Sequence, residues 1–442
     1  MDSLTDLAFG AGWNLLDLQF PAGLSATVIA QKEQRNQDQA CMAATAAGAM
    51  VTNSSKALQA KIRFRAFFLS FLLLGSTFIS LASAQEIGRK QNDATVGVIQ
   101  RAFVDEGRSN WQGTGPRPLA TIIWYPAALG AKLKAPDLGA PELQQFFVSY
   151  PLAEDAALSG KQKKYPLVVL SHGNTSSALS LDWFGYYLAS HGYVVAAVNH
   201  HGNTSAEAGG PIPQGFGAQW ERPKDLSVLI DRMLGDPVFG PHIDADRIVA
   251  AGHSSGGATV LELAGAIFDP DQIQAFCKNH KVDDPNCNLP PVIQTQLSQF
   301  EALKKTDAVV QASVKRSHLP YSDPRVKAVF AMAPALGVGD TDASLKSIRI
   351  PVYIVAGRAD NITPPATNAE RMANLISTST LTVLPGMVGH ATFGSLCTPA
   401  GVKSPDWGSW VCHDEEGVNR ARVHEQTEEL ALPFFQSVLA AK

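Results

Sequence analysis

A serine lies at the centre of a glycine-flanked pentapeptide, Gly252-His253-Ser254-Ser255-Gly256. An apolar, β-prone run ends at His253, and a helix-compatible run begins at Ser255. A turn this tight holds the middle serine in a strained conformation with its hydroxyl outward, and the glycines let strand and helix pass without Cβ clashes. The pattern predicts that Ser254 is a catalytic nucleophile. Because glycine and serine are common, the pentapeptide alone also fits a chance match.

A nucleophilic serine needs a base, a group that orients the base, and donors for the oxyanion. Ligands of open α/β sheets bind at the carboxyl ends of the strands. Asp360 follows the apolar run Ile350–Ala356, and His390 follows the run Thr380–Leu384. We therefore predict that His390 is the base and that Asp360 orients it. The chain order Ser, Asp, His is the order expected for a nucleophile in this kind of turn.

Other residues compete for these two roles. Asp360 also fits a turn or helix-capping aspartate, and His390 also fits a solvated loop histidine. The competing acids are Asp340 and Asp342, and the weaker histidine candidates are His413 and His424.

The oxyanion requires backbone donors from two places in the chain. We predict the N–H of Ser255 and the N–H of Asn174, which lies in the loop after the apolar run ending at Leu170. Gly173 permits the turn in this loop, and His172 is expected to pack against the loop or to orient it.

Two adjacent histidines, His200 and His201, raise the alternative of a metal site. Neighbouring residues at a strand end point apart, and no further ligand lies at a suitable spacing. We expect no metal, and the proposed chemistry needs no cofactor.

Strand and helix patterns alternate from Gln85 onward, which predicts one α/β domain over 85–442, a mainly parallel sheet with helices on both faces. Thr95–Val104 and Leu119–Tyr125 are predicted to form an antiparallel pair. The predicted parallel strands are Tyr165–Leu170, Tyr193–Val198, Arg247–His253, Arg325–Ala331, Ile350–Ala356 and Thr380–Leu384. The predicted helices lie near Pro141–Ser149, Ala178–Ser190, Arg222–Leu234, Ser255–Ile267, Ala366–Ile376 and Ala421–Ala441.

The alternation breaks at about 268–323, where the chain has two cysteines, several prolines and no clear strand. We interpret this segment as an insertion with two short helices that caps the carboxyl edge of the sheet.

Residues 1–84 form an N-terminal extension that ends in an export pattern at about 61–84. The basic segment Lys61–Arg65 precedes an apolar run, and Ala82-Ser83-Ala84 is a cleavage site. The run is shorter than the roughly 20 residues that span a bilayer. We predict a cleaved signal peptide and no stable membrane anchor afterwards, with an uncleaved anchor or a buried helix as the alternatives.

The sixty residues before Lys61 are too many for an ordinary signal peptide, so we interpret Met50 as the true start, with Met42 as the alternative. Gln85 rather than a cysteine follows the predicted cut, and no twin arginine is present, which favours the general export route without a lipid anchor. The expected location is periplasmic or secreted.

Cysteine usage agrees with export. Cys41 lies in the extension, and an even number of cysteines remains, which suggests disulfides in an exported chain. Three pairings are possible, and we favour the local pairs, Cys277–Cys287 and Cys397–Cys412. The alternative is four free thiols in a cytosolic protein, whereas zinc is disfavoured because no C-x-x-C spacing occurs.

The composition is that of a globular protein: 442 residues, of which 45% are hydrophobic and 17% charged, with a net charge of -4. Nothing in this balance indicates a nucleic-acid partner or an anionic membrane surface.

Taken together, these features resemble the α/β-hydrolase superfamily, and more narrowly its exported dienelactone-hydrolase-like group, which is related to the platelet-activating-factor acetylhydrolases. The resemblance covers the chain from about Thr95 to the C-terminus. It rests on Leu170–Thr175, His191–His200, Arg222–Asp225, Gly252–Gly257, Ala331–Leu336 and the segments of Asp360 and His390. Dienelactone hydrolases use a cysteine nucleophile, so the Ser254 of this chain gives no ground for a dienelactone substrate.

The resemblance implies an α/β-hydrolase fold and a serine hydrolase that cleaves small-molecule carboxylic esters through an acyl-enzyme on Ser254. Short or oxidised acyl chains are implied by family analogy alone. The alternatives are an acyltransferase, a lactonase or a peptidase with the same triad, or a non-catalytic binding protein with a hydrolase fold.

Overall fold

The computed structural model describes residues 94–135, 138, 145–280, 284–405, 408 and 411–440. The N-terminal extension, including the export pattern and Cys41, lies outside the described residues. Residues 141–144 of the predicted helix near Pro141–Ser149 also lie outside them. The described part of that prediction, 145–149, is a turn followed by an isolated β-bridge between Phe147 and Cys397, so the helix is not found there.

The described residues form one nine-stranded sheet with the order β3-β1-β2-β5-β4-β6-β7-β8-β9. Strand β2 pairs antiparallel with β1 and with β5, while all neighbours from β5 to β9 in this order are parallel. The strands are β1 (Val96–Ser109), β2 (Pro116–Pro126), β3 (Ala153–Glu154), β4 (Tyr165–Ser171), β5 (Val194–Val198), β6 (Ile243–His253), β7 (Val326–Met332), β8 (Val352–Gly357) and β9 (Ser379–Leu384). The prediction of a mainly parallel sheet with one antiparallel pair at its start is confirmed, and the two-residue strand β3 was not predicted.

The helices occupy both faces of the sheet, as the alternating pattern predicts. They are α1 (Asp182–Ser190), α2 (Pro213–Gly217), α3 (Glu221–Gly235), α4 (Ser255–Ala264), α5 (Pro270–His280), α6 (Pro291–Thr306), α7 (Ala308–Val314), α8 (Asp342–Ser347), α9 (Ala369–Leu375), α10 (Pro399–Lys403) and α11 (Arg420–Ala440). Helix α4 ends before Ile267 because Gly265 adopts φ 125°, a conformation that stops the helix. None of the helices in the described ranges is both long enough and apolar enough to cross a bilayer.

The central strands are apolar throughout because both of their faces are covered. Every residue of β4 and β5 is buried. Alternate side chains of β4 point to opposite faces, so that Leu167 packs in one cluster and Val168 in the other. The first cluster contains side chains of α3, α4 and α9, and the second contains side chains of α1 and α11. This two-sided burial explains the continuous apolar runs of the sequence.

The insertion between α4 and β7 contains three helices, α5, α6 and α7, rather than the predicted two. A separate apolar cluster attaches it to the rest of the domain. In this cluster Phe300 of α6 and Val310 of α7 pack with Trp111 and Trp220. Trp220 follows α2, a short helix that is not among those predicted from the sequence. That the insertion caps the carboxyl edge of the sheet stays a prediction.

The close approach of α4 to β4 generates a stability prediction. A Cβ on Gly256 would overlap the backbone carbonyls of Ser171 and His172, which cannot move without shifting the sheet. We expect Gly256→Ala to lower the free energy of unfolding by about 1–3 kcal/mol or more. Gly235→Ala is the matched control, because an added Cβ meets nothing within 4 Å there, and it should be neutral or stabilise by up to about 1 kcal/mol.

Urea unfolding of both variants, followed by circular dichroism, measures this difference. Equal stability of Gly256→Ala and the wild-type protein would contradict the close approach.

Candidate active site

Ser254 lies at the carboxyl end of β6, in the turn that leads into α4. Its backbone angles, φ 58° and ψ -122°, are uncommon for a residue with a side chain. The Ser254 N–H donates to the Met332 carbonyl at 3.0 Å, and the Ser254 carbonyl accepts from the Ala335 N–H at 3.0 Å. Strand β7 and the residues after it therefore hold the strained turn in place.

The structure brings the three predicted triad residues together. Nε2 of His390 lies 2.9 Å from Oγ of Ser254, and Nδ1 of His390 lies 2.8 Å from Oδ2 of Asp360. Asp360 follows β8 and His390 follows β9, so the two loops meet at the carboxyl edge beside the turn at Ser254. The Asp360 side chain is fully buried, while 10% of the His390 side chain and 9% of Ser254 remain exposed. The hydrogen-bonded row thus runs from the interior to the surface and ends at the serine hydroxyl.

The Asp360 carboxylate is saturated with donors. Oδ1 accepts from the backbone N–H groups of Ile362 and Thr363 at 3.0 and 2.8 Å, and Oδ2 accepts from His390 and from the Thr363 hydroxyl at 2.9 Å. Burial raises the pKa of Asp360, but the neighbouring His390 and these hydrogen bonds outweigh it and hold the pKa below its ordinary value. The carboxylate therefore remains ionised opposite the imidazole.

Thr363 was not found from the sequence. Its hydroxyl also lies 3.0 Å from Nδ1 of His390 and 3.3 Å from the Ala333 carbonyl. Thr363 lies three residues after Asp360, the spacing at which an Asp side chain caps the turn that follows it. This spacing is the one feature of the sequence that could have indicated the role of Thr363.

His253, the residue before the serine, lies against the candidate base. The ring centroids of His253 and His390 are 4.8 Å apart, and Nε2 of His253 donates to the His390 carbonyl at 3.2 Å. Burial lowers the pKa of His253 to about 3, and the charge of a protonated His390 lowers it in the same direction. His253 is thus neutral at ordinary pH and does not compete with His390 for a proton.

The two predicted oxyanion donors come from separate segments of the chain. Ser255 is the first residue of α4, and Asn174 lies in the loop after β4. A Cβ on Gly173 would be 3.3 Å from Cβ of Ser254, so this loop passes directly against the serine. Neither the Ser255 N–H nor the Asn174 N–H donates to an acceptor in the described part of the chain. Both amides are therefore available to an oxygen bound beside Ser254.

A second Ser–His–Asp row lies behind this loop and was not predicted. Oγ of Ser171 is 2.9 Å from Nε2 of His200, and Nδ1 of His200 is 2.9 Å from Oδ2 of Asp225. All three side chains are fully buried. Burial and the charge of Arg222 lower the pKa of His200 to about 3. A substrate cannot reach this row, and its histidine does not accept a proton at ordinary pH.

His172 does contact the loop, as expected. Its Nδ1 donates to the Gly173 carbonyl at 2.7 Å, and its Nε2 accepts from the His200 N–H at 3.2 Å.

None of the competing residues forms a hydrogen bond to Ser254 or His390 in the described structure. Asp340 is fully buried, which raises its pKa to about 8, and Asp342 pairs with Arg371 at 2.5 Å. His413 is exposed, 3.9 Å from a glutamate. His424 packs against the Trp183 ring with a centroid distance of 3.9 Å, and its Nε2 is 2.9 Å from the Gly394 carbonyl.

The adjacent histidines of the metal alternative point apart. His201 bonds to Oε1 of Glu207 at 2.8 Å and accepts from the Trp111 N–H at 3.2 Å, while His200 belongs to the buried row. Within the described ranges no group of three or more His, Cys, Asp or Glu side chains is placed to hold a metal ion.

Both local disulfides are present. Cys277–Cys287 joins the end of α5 to the segment before α6, with a Cα–Cα distance of 5.3 Å. Cys397–Cys412, with a Cα–Cα distance of 5.7 Å, closes a loop that follows the His390 segment.

Comparison with known proteins identifies local similarity to serine esterases. The family model of platelet-activating factor acetylhydrolase, isoform II, matches residues 142–217, which include Asn174 but none of the three triad residues. The cutinase est2 of Thermobifida alba is 34% identical over 102 residues, which are 23% of this chain and 30% of that protein. The platelet-activating factor acetylhydrolase of Cavia porcellus is 26% identical over 138 residues, 23% of this chain and 32% of that protein.

A peptidase also shows local similarity. The dipeptidyl-peptidase 5 of Porphyromonas gingivalis is 34% identical over 119 residues, 24% of this chain and 15% of that protein. The chain thus matches less than a third of the length of these first relatives.

The fold extends much further than these local matches. A ferulic acid esterase from Streptomyces cinnamoneus superposes with a TM-score of 0.54 and 23% identity, covering 79% of this chain and 91% of that one. The chain therefore has the α/β-hydrolase fold, and the predicted fold class is confirmed.

The buried, neutral His253 generates a prediction about acid stability. Its pKa is about 3 in the folded protein and 6.5 when exposed, so between these values the unfolded chain binds a proton that the folded protein does not. Stability therefore falls as the pH falls from 6.5 towards 3. The unfolding free energy of the wild-type protein should fall between pH 7 and pH 5. In His253→Asn we expect this fall to be smaller than in wild type by about 2 kcal/mol.

Urea unfolding at the two pH values measures the difference, with His242→Asn as the control for loss of an exposed histidine. The same loss in His253→Asn and wild type would contradict a depressed pKa of His253.

Proposed function

We propose that this chain is a serine esterase that hydrolyses small-molecule carboxylic esters through an acyl-enzyme on Ser254. The observation that carries this proposal is the hydrogen-bonded row from Asp360 through His390 to the hydroxyl of Ser254, which lies in a strained turn and is 9% exposed. The local similarity to cutinases and platelet-activating factor acetylhydrolases supports an ester as the substrate.

In the acylation step, Nε2 of His390 accepts the proton of Ser254 as Oγ attacks the ester carbonyl carbon. The carbonyl oxygen becomes an oxyanion, which the N–H groups of Ser255 and Asn174 stabilise by hydrogen bonds. The tetrahedral intermediate then expels the alcohol, which takes its proton from His390. Asp360 holds the Nδ1–H tautomer throughout and stabilises the imidazolium.

In the deacylation step, His390 takes a proton from a water molecule that attacks the acyl carbon. The same two N–H groups hold the second oxyanion. Its collapse breaks the bond to Oγ, returns the proton from His390 to Ser254 and releases the carboxylic acid.

The decisive experiment uses purified protein that begins at Gln85 and p-nitrophenyl esters of graded acyl length. We expect hydrolysis of the acetate or butyrate, and we expect Ser254→Ala to lower kcat by more than about 10³-fold. Ser437→Ala, which removes the hydroxyl of an exposed serine in α11, is the matched control and should stay near wild-type activity. Equal hydrolysis by Ser254→Ala and wild type, or no labelling of Ser254 by a fluorophosphonate, would refute the proposal.

The similarity to dipeptidyl-peptidase 5 favours peptide hydrolysis as a second candidate for the same triad. Dipeptidyl p-nitroanilides assayed beside the p-nitrophenyl esters separate the two activities. Product analysis with added alcohol distinguishes hydrolysis from acyl transfer.

We also propose that the chain is exported to the periplasm or the medium and that residues 61–84 are removed after Ala84. The basic and apolar pattern of this segment and the two disulfides support export. Mass spectrometry of the exported protein should find Gln85 as the first residue, and Ala84→Arg should retain the segment. A cytoplasmic protein with free thiols at all four positions would contradict export.

A further inference from the structure

We propose that Asn203 and Arg222 are positioning residues that hold the Asn174 N–H in its place beside Ser254. This inference rests on the proposed ester hydrolysis, in which that N–H binds the oxyanion. It assigns a role to two buried residues that lie outside the triad.

The loop from His172 to Thr175 does not hold its conformation by itself. Thr175 has φ 58°, which is uncommon for a β-branched residue. The hydrogen bond within this turn, from the Ser176 N–H to the Gly173 carbonyl, is long at 3.3 Å. A strained backbone persists only where its surroundings restrain it, so the loop needs partners from elsewhere in the chain.

Asn203 supplies two of these partners. Its Oδ1 accepts from the Thr175 N–H at 3.1 Å, and its Nδ2 donates to Oδ1 of Asn174 at 2.8 Å. Nδ2 also donates to the Gly215 carbonyl at 3.2 Å, which ties the Asn203 side chain to α2. The buried side-chain amide of Asn203 thus holds both the side chain of Asn174 and the backbone N–H of Thr175. These two contacts fix the orientation of the loop at Asn174.

Arg222, in the first turn of α3, holds the other end of the loop. Its guanidinium donates to the His172 carbonyl, to Oγ of Ser171 at 3.3 Å and to Oδ1 of Asn203 at 2.9 Å. Because the guanidinium is planar and forked, the contacts with His172 and Asn203 set their relative position. Arg222 therefore couples Asn203 to the carbonyl that precedes Gly173.

The charge of Arg222 is unusually placed. The residue is 1% exposed, and its guanidinium forms none of the ion pairs in the described structure, although the Asp225 and Glu262 carboxylates attract it at longer range. The Asp225 carboxylate instead accepts from Arg108, Arg117 and His200. Burial lowers the pKa of Arg222 to about 9, so the group is still charged at neutral pH. A buried positive charge directly behind the loop favours the negative charge that develops on the oxyanion.

The test compares kcat, KM and the inhibition constant of an alkyl trifluoromethyl ketone, whose adduct with the serine places an oxyanion on the same N–H groups. For Asn203→Ala we expect kcat to fall by about 10- to 100-fold with little change in KM. The inhibition constant should rise by a similar factor. Arg222→Lys should retain more activity than Arg222→Met, because it keeps the charge.

Two further variants separate positioning from general destabilisation. Asn203→Asp is isosteric and keeps its acceptor for Thr175 and Arg222 but loses the donor to Asn174, so it should reproduce the loss if Asn203→Ala does not fold. Asp236→Asn weakens a partly buried ion pair with Arg101 and should lower the Tm without changing kcat or the inhibition constant. A lower Tm with unchanged kcat and ketone affinity in the Asn203 variants would overturn the inference.

Hydrogen exchange gives a readout that does not depend on activity. Peptides that cover 171–178 should exchange about tenfold faster in Asn203→Ala, which removes the acceptor of the Thr175 N–H, than in wild type, while peptides of β8 should not change. Unchanged exchange would overturn the positioning role even in an active enzyme. If the wild-type protein neither hydrolyses esters nor binds the ketone, the proposed function fails, and with it the catalytic consequence of this contact.

Discussion

The close approach of α4 to β4 is the constraint on which the rest of the site depends. Gly252 and Gly256 bring the backbone of the turn against the Ser171 carbonyl, and no side chain fits between them. The turn at Ser254 is strained by about 1–3 kcal/mol, and its hydrogen bonds to β7 hold it there. Since Ser171 is also the last residue of β4, the same contact fixes where the loop of Asn174 begins. Nucleophile and oxyanion donors are thus positioned by one backbone contact.

The two Ser–His–Asp rows show why residue types alone do not make a site. In the buried row the Asp225 carboxylate is shared among Arg108, Arg117 and His200, and nothing reaches the surface. Ser171 ends the regular strand β4 with ordinary strand φ and is fully buried, so its hydroxyl is not presented at a strained turn as that of Ser254 is. In the other row only the aspartate is sealed, and the imidazole and hydroxyl are partly exposed. Exposure and backbone conformation therefore distinguish a structural row from a candidate catalytic one.

The residues of the site that directly follow strands could be predicted from the sequence, whereas those held by hydrogen bonds between loops could not. Ser254, Asp360 and His390 follow different parallel strands, and parallel strands end at one edge, so their positions along the chain were enough to bring them together. Thr363 and Asn203 are recognisable only by hydrogen bonds across loops, which no periodicity encodes. The short helices α2, α8 and α10 were missed because each has only five or six residues, too few to show a helical period.

The charges around His390 suit its proposed role as the base that accepts the proton of Ser254. A base that takes the serine proton becomes an imidazolium, and its stability depends on the groups that face it. Asp360, held ionised by its hydrogen bonds, stabilises this positive charge directly. His253 lies on the ring of His390 but stays neutral, because burial and the imidazolium itself both oppose a second proton. When His390 takes the proton that Ser254 gives up, the resulting positive charge therefore faces the Asp360 carboxylate and a neutral His253 ring.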